Sequence, residues 1–579
     1  MSRPILIRTI ALLIAALASV GGAWLYYRYI AADAPVWLDS ARAVLFLLTS
    51  FWLVWGGTTG VIGALSRAPK GVAGPVTAPS GLTAILVPIY NEDPAATFSR
   101  IAAMNRSLIA EGIAERFHFA ILSDSTSLEV AAQEAVWFER LVREPMSEGR
   151  VFYRRRERNI GKKAGNVEDF ISRSGAAYAY ALILDADSLM DGATIGRMAL
   201  RMDADEQLGL LQTVPEVIRA ETIFGRLMAF SSAYLSPYFA RGQALMQRQE
   251  GPYWGHNAIV RVSAFAASCG LPVLSGKPPY GGHILSHDYV EAALLARAGW
   301  KVELDPTLGG SFEEGPENLI EYAKRDRRWC QGNLQHRRLI AAPGLKFWSR
   351  FTFVQGIMAY MASPLWLLLL VTSLIAASIP DQRWWVQHDD AMWVLAAAVA
   401  VALLLPKVTI LVRGALDGRN GQFGGTLRVA LGVLGEIALS TLLAPIMLCL
   451  QSKAVLEILL GLDGGWPATR RDETRVEFGV AFAASWWIVV TGAVTLAVAI
   501  ALAPGLVPWL LPVTVPAIAA PLLMGLTSLS PKVRWLFGTA AERRPTEVML
   551  LQQRIHENWT MQGPDLPEAG LRADGHVLA

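Results

Sequence analysis

An α/β domain inserted between two blocks of transmembrane helices is the fold this sequence predicts, and three observations predict it. Hydrophobic residues fill 53% of the 579 positions and charged ones only 17%, a balance unusual for a water-soluble chain of this size. The apolar excess lies toward the two ends, whereas residues 68–345 read as ordinary soluble protein. Within that central stretch, short apolar runs ending in carboxylates alternate with helix-like segments.

A helix needs about 20 mostly apolar residues to cross roughly 30 Å of hydrocarbon. Stretches near 9–27 and 43–65 meet that need before the central domain, and stretches near 351–379, 391–412, 426–450, 476–503 and 505–528 meet it afterwards. The first resembles a signal peptide only in position: its apolar run is long, has no small-residue cleavage site and is followed at once by a second span, so it reads as an anchor. Arg3 and Arg8 precede the first span, Arg67 and Lys70 follow the second, and Lys532, Arg534, Arg543 and Arg544 follow the last. Such clustering places both termini and the central domain in the cytosol. An even number of crossings is then required. The stretch 426–450, interrupted by Gly432, Gly435, Glu436 and Pro445 and continued by a second apolar run at 454–461, is the one expected to be interfacial, re-entrant or a hairpin, leaving six spans. The resulting division is 1–67 for two spans, 68–345 for the cytosolic domain, 346–530 for the second membrane block and 531–579 for a cytosolic tail.

In the central domain, Leu82–Ile89, Phe117–Leu122 and Ala179–Leu184 are short apolar runs bounded by turn residues, which predicts buried strands. Alternation with helices predicts a parallel sheet, whose ligands sit at the carboxyl ends of the strands. Acidic residues fall there: Glu92 and Asp93 after the first run, Asp124 after the second, Asp185 and Asp187 after the third. Alternating carboxylates at a strand end suit a hard cation, Mg²⁺ or Mn²⁺, although Asp is also a common turn residue. The basic run 154–163 reads as a solvated loop or a lipid-facing one. Lys163 and Gly165 just beyond it suit an anionic ligand and a close backbone approach. Asp288 opens a helical pattern, where it serves either as a cap or as a general base. Arg325, Arg328 and Trp329 lie before a span and serve either as interface anchors or as a diphosphate and sugar contact. The pair His256-Asn257 reads as a satisfied turn by itself. A formal charge of +3 gives no reason to invoke nucleic acid, and three scattered cysteines, Cys269, Cys330 and Cys449, fit no disulfide framework or zinc pattern.

In order and spacing, Asp124, Asp185-Ala186-Asp187, Asp288 and Arg325-Asp326-Arg327-Arg328-Trp329 resemble the motifs of the processive family-two glycosyltransferases, the group of bacterial cellulose and hyaluronan synthases. Within it, Gly161–Asn166, Gly255–Arg261, His287–Ala292 and Lys324–Asn333 are most similar to the proteobacterial branch that builds the β-1,2-linked backbone of osmoregulated periplasmic glucans. The resemblance implies a GT-A-like nucleotide-sugar-binding domain in the bacterial inner membrane, a UDP-glucose donor, a growing glucan acceptor and periplasmic glucan-processing partners. By residue, it implies Tyr90, Glu92, Asp124, Lys163, Arg325 and Arg328 at the donor, and metal on Asp185 and Asp187. It further implies Asp288 as base, His256, Asn257 and Trp329 at the acceptor, and a gating loop over 464–475 with Trp466, Thr469 and Arg470. Arg325 stands where the family usually has Gln, which puts that diphosphate contact in doubt. Cellulose synthase is the nearest rival, disfavoured because residues 529–579 lack the arginine signature of a cyclic-di-GMP domain. A non-catalytic transporter or scaffold is the rival of another class.

Overall fold

The computed structural model describes residues 3–29, 35–67, 74–379, 389–463 and 475–563. Ten strands run in chain order: β1 (Thr83–Ile89), β2 (Phe117–Ser123), β3 (Val151–Arg155), β4 (Tyr180–Ile183), β5 (Leu189–Met190), β6 (Leu208–Gln212), β7 (Glu216–Ile218), β8 (Ala258–Arg261), β9 (Lys301–Leu304) and β10 (Ser311–Glu314). Seven form one sheet in the order β3-β2-β1-β4-β8-β6-β9, and β5-β10-β7 form a second. Ile85, Val87 and Ile89 on one face of β1 share a core with Phe98 and Ile101 of the helix Pro94–Ala110. Ala84 and Leu86 on its other face meet Val167, Phe170 and Ile171 of the helix Lys162–Ser174. Burial on both faces is why these strands read as continuous apolar runs rather than alternating ones.

The sheet is mixed, which corrects the parallel expectation. β1 pairs parallel with β2 and β4, but β8 runs antiparallel to both β4 and β6. Because Ala258 at the start of β8 stands opposite Ile183 at the end of β4, residues 254–257 arrive beside the carboxylates that follow β4. A parallel β8 would deliver its far end there instead.

Among the described residues, six helices are long and apolar enough to cross a membrane: Arg3–Tyr29, Val36–Leu65, Phe347–Ala377, Asp389–Leu416, Thr426–Leu459 and Phe478–Leu502. A bent pair, Pro504–Ile518 and Ala520–Thr527, breaks by 59° and counts as a seventh if taken as one span. The bend falls where Pro512, Pro516 and Pro521 remove backbone donors. The expected interruption of 426–450 is not found: one helix runs unbroken from Thr426 to Leu459 and takes in the second apolar run. Gly432 lets the Phe230 ring approach, Gly435 lies against Phe537, and Glu436 pairs with Lys407 at 2.5 Å, so three of the four residues that resembled breaks are packing contacts, and the fourth, Pro445, is buried inside the helix.

This helix differs from the others in what its ends touch. Near its start, Gly432 meets Phe230, and near its end Glu457 meets Arg327 at 3.0 Å, both partners belonging to the central domain. At the opposite pole a cluster of Tyr26, Leu45, Leu369, Leu395, Ala499 and Leu506 gathers residues from every other apolar helix and from the bent pair, but none from Thr426–Leu459.

The segment expected to be a tail is part of the central domain. Val548, Ile555 and Trp559 of the helix Glu547–Gln562 are buried in the core built on β1. Trp559 stacks on Trp137 with centroids 5.5 Å apart, and Gln552 Nε2 donates to Ser99 Oγ at 3.1 Å.

Candidate active site

At the carboxyl ends of β1, β2 and β4 opens a cavity of about 640 Å³. Tyr90 and Glu92 after β1, Asp124 after β2, and Asp185 and Asp187 after β4 line it from the sheet side. Asp288, Arg325, Arg328 and Trp329 line it from the side facing the membrane helices, and Lys163 stands between. Ten residues expected from the sequence thus converge on one space.

Asp124 is fixed by a cation the sequence reading missed. Arg156 donates through Nε and Nη2 to its two carboxylate oxygens, both at 2.7 Å, and Asn159 Nδ2 donates to its backbone carbonyl at 2.6 Å. Arg156 belongs to the basic run that reads as a loop. The available signal was register: Arg155 stands opposite Ser123 in the β2–β3 ladder, so the next residue on each strand meets its counterpart. The loop after β1 is tied to the same place by Asn91, whose Oδ1 accepts from the backbone N–H groups of Thr126 and Ser127, both at 3.0 Å.

Asp185 receives Lys163 Nζ, which also donates to the Gly255 carbonyl at 2.7 Å. Its surroundings, being poorly solvated, push its pKa up, but Lys163 first and then His256 and Arg325 outweigh that effect and hold the carboxyl well below the usual range. Gly165 serves a different purpose from the one expected. A Cβ there would fall 2.1 Å from the Ile160 carbonyl, so the close approach it permits is to its own chain, in the turn that aims Lys163.

Asp288 lies in the first turn of the helix His287–Arg297, and the residue ahead of that helix, Ser286, makes no side-chain cap bond. Burial pushes the Asp288 carboxyl above the usual range and Glu291 adds to the push, while His287, itself paired with Glu291 at 3.1 Å, opposes it. Gly255, at φ +85°, fills the space beside it, where a Cβ would stand 3.5 Å from Asp288 Oδ2. Gly255 therefore stands between the two carboxylates, its carbonyl bound to the lysine that meets Asp185 and its missing side chain leaving room beside Asp288.

The helix Leu319–Gln335 carries Arg325 stacked over Trp329 at 4.6 Å, and Trp329 is 42% exposed. Its other face binds the end of the long apolar helix, Arg327 to Glu457 and Gln331 Nε2 to Asp463 at 2.9 Å. Burial lowers the pKa of Lys162 at the cavity wall, against the opposing charge of Asp463. The chain that leads into 464–474 is thereby anchored beside the cavity. Trp466, Thr469 and Arg470 themselves lie outside the described residues.

Asn257 is not where the sequence reading put it. It is fully buried, its amide donating to Ser311 Oγ at 2.9 Å and to the Phe312 carbonyl at 3.3 Å. It is not part of the cavity wall, because an amide buried beneath β10 must spend its donors on the nearest acceptors. His256 likewise sits behind the wall, 3.5 Å from Glu313. Trp254, Arg219 and Glu314 line the cavity without having been singled out. Arg219 and Arg100 both pair with Glu314, at 3.2 and 2.6 Å, a set joined across three distant segments. Among the described residues no group of three or more His, Cys, Asp or Glu is disposed to hold a metal ion. Asp185 and Asp187 would share a cation with ligands that are not protein side chains.

Family comparison agrees with this geometry. A family model described as glycosyl transferase family 2 matches residues 84–268, and one described as glycosyl transferase family group 2 matches 180–405. The glucans biosynthesis glucosyltransferase H of Cereibacter sphaeroides is 50% identical over 565 residues, covering 95% of each chain. That of Caulobacter vibrioides is 41% identical over 538 residues, covering 88% of this chain and 80% of its own. That of Shewanella oneidensis is 38% identical over 563 residues, covering 90% and 76%. Among solved structures, the mannosyltransferase PcManGT of Pyrobaculum calidifontis matches at a TM-score of 0.44 and 13% identity, over 66% of this chain and 99% of its own.

Proposed function

The chain belongs to glycosyltransferase family 2 and, within it, to the glucans biosynthesis glucosyltransferase H group, and from that premise we propose that it transfers glucose from UDP-glucose to a growing β-1,2-glucan and delivers the product across the bacterial inner membrane. The observation that carries this reading is the convergence of Asp124, Asp185, Asp187, Asp288, Arg328 and Trp329 on one cavity. Glucan-processing proteins of the periplasm are the partners it implies.

Asp124, clamped by Arg156, and Tyr90 hold the nucleoside. Asp185 and Asp187 would hold a divalent cation, Mg²⁺ or Mn²⁺, which when bound would supply positive charge to the departing diphosphate. Lys163 and Arg325 keep the Asp185 carboxyl ionised at any physiological pH. Arg328 faces the diphosphate and Trp329 offers an aromatic platform to the acceptor sugar. Asp288 takes the proton of the acceptor hydroxyl as its oxygen bonds to the anomeric carbon and the bond from that carbon to the diphosphate breaks. The configuration inverts, and no protein nucleophile is needed. A raised pKa suits this base, because a carboxylate of higher pKa accepts the proton with more driving force.

We read the membrane region as six crossings, with Thr426–Leu459 lying along the cytosolic interface and the bent pair acting as the last crossing. In support, both ends of Thr426–Leu459 touch the central domain, and that helix contributes nothing to the cluster at the opposite pole. The helix Glu547–Gln562 docks on the central domain, which agrees with an even count. The domain divisions at 67, 345 and 530 and a gating role for 464–475 belong to the same reading.

The test is to incubate purified protein with UDP-glucose and Mg²⁺ and to analyse the product linkage by methylation. Two-linked glucose is expected. Four-linked glucose would reassign the chain to cellulose synthesis, and no transfer at all would favour a non-catalytic scaffold.

A further inference from the structure

On the flank of the molecule away from the active site, two cavities of about 510 and 1250 Å³ share Arg67, Ala244, Leu245, Glu303 and Leu304 as wall, and so form one trough. Its two halves differ in chemistry. One half is lined by Arg67, Arg197 and Arg241, and Arg248 lines the other. That other half is also lined by Ile7, Ile10, Ile62 and Leu65, from the cytosolic ends of the first two apolar helices. Arg201 lines the first half as well, and it takes both carboxylates of the wall, Glu303 at 3.1 Å and Asp305 at 2.7 Å, which leaves the other three arginines in excess. Arg241 is the second observation. Its Nε and Nη1 are buried without a hydrogen-bond partner, and its guanidinium stacks on Tyr238 at 5.1 Å. The residue is half-buried and lines the cavity, so a guanidinium with unmet donors on its inner side offers its charge to an anion at its accessible end.

We propose that this trough is a site for an anionic phospholipid, its phosphate among Arg67, Arg197 and Arg241 and its acyl chains along Ile7, Ile10, Ile62 and Leu65. A soluble phosphate has no use for the apolar half, and a zwitterionic lipid brings a cation to arginines that already outnumber their carboxylates. The site rests on the reading of Arg3–Tyr29 and Val36–Leu65 as membrane spans, at whose cytosolic ends cationic side chains meet lipid headgroups.

Native mass spectrometry of the full chain, released from nanodiscs of phosphatidylcholine mixed with phosphatidylglycerol, tests it without donor or metal, so its outcome is independent of the transferase reading. The wild type is expected to retain phosphatidylglycerol in preference to phosphatidylcholine. Arg67→Gln and Arg241→Gln should each weaken retention about fivefold, the equivalent of about 1 kcal/mol per headgroup arginine. Glycerol 3-phosphate, the headgroup without chains, should not displace the lipid. Arg248→Gln and Ile10→Asn, both at exposed positions, repeat the test if Arg241→Gln does not fold. Equal retention of the two lipids, undiminished retention in the variants, or displacement by glycerol 3-phosphate would each overturn the proposal.

Discussion

On the sheet side of the cavity Asp124 and Asp185 each have a cation in contact, Arg156 and Lys163, whereas on the opposite side the charges that act most on Asp288 are those of His287 and Glu291. The pKa of Asp185 is consequently held down and that of Asp288 pushed up within a single space. Environments that drive two carboxylates apart are how one site assigns a charge-bearing role to one and a proton-accepting role to the other. Gly255 is the hinge of the contrast, since its carbonyl steadies Lys163 while the Cβ it lacks would stand beside Asp288.

The contrast breaks if substitutions on the two sides behave alike. Asp288→Asn should lower the transfer rate by about 10²–10⁴-fold, the usual contribution of a general base, with donor affinity kept in equilibrium binding. Asp187→Ala should abolish transfer and, unlike Asp288→Asn, also remove the stimulation of donor binding by Mg²⁺. Arg156→Gln should raise the donor KM by about 10–100-fold, as expected for losing a charge-assisted contact of about 1.5–3 kcal/mol, and should leave kcat nearly unchanged; a fall in kcat alone would move Arg156 out of the donor site. The pH profile sharpens the same contrast. Asp288 works only when ionised and its pKa is raised, so kcat should fall as pH drops through a value above the ordinary carboxylate figure of about 4. The Asp288→Glu protein should shift that limb, and a limb left in place would assign it to another group. The smallest effect on chemistry should come from Trp559→Ala. Loss of the Trp137 stack should cost about 3–5 kcal/mol of domain stability, read by thermal unfolding, while surviving protein keeps its kcat.

Strand positions, and the carboxylates at strand ends, were legible because two-sided burial forces compact apolar runs and leaves acidic residues at their exits. The direction of β8 was not, since Ala258-Ile259-Val260-Arg261 reads the same in either orientation and its neighbours β4 and β6 are chosen by contacts remote in sequence. Arg156 was hidden for the opposite reason: a run of arginines resembles a solvated surface until a partner strand sets which one turns inward. Thr426–Leu459 misled a reading based on local composition, because Gly432 and Gly435 mark close packing against Phe230 and Phe537 as readily as they mark a break. The inward turn of Asn257 has no local signature at all. Its donors are claimed by Ser311 and Phe312, more than fifty residues away.

The docked helix Glu547–Gln562 also has a consequence for how the protein is made. Gln552 and Ser99 are 453 residues apart, and a ribosome adding about 5–20 residues per second needs roughly 20–90 s to span that interval. During that time the seat of Val548, Ile555 and Trp559 on the central domain stands open. The core closes only on full-length chains. A chain that stops before Glu547 therefore leaves an apolar groove uncovered on the central domain.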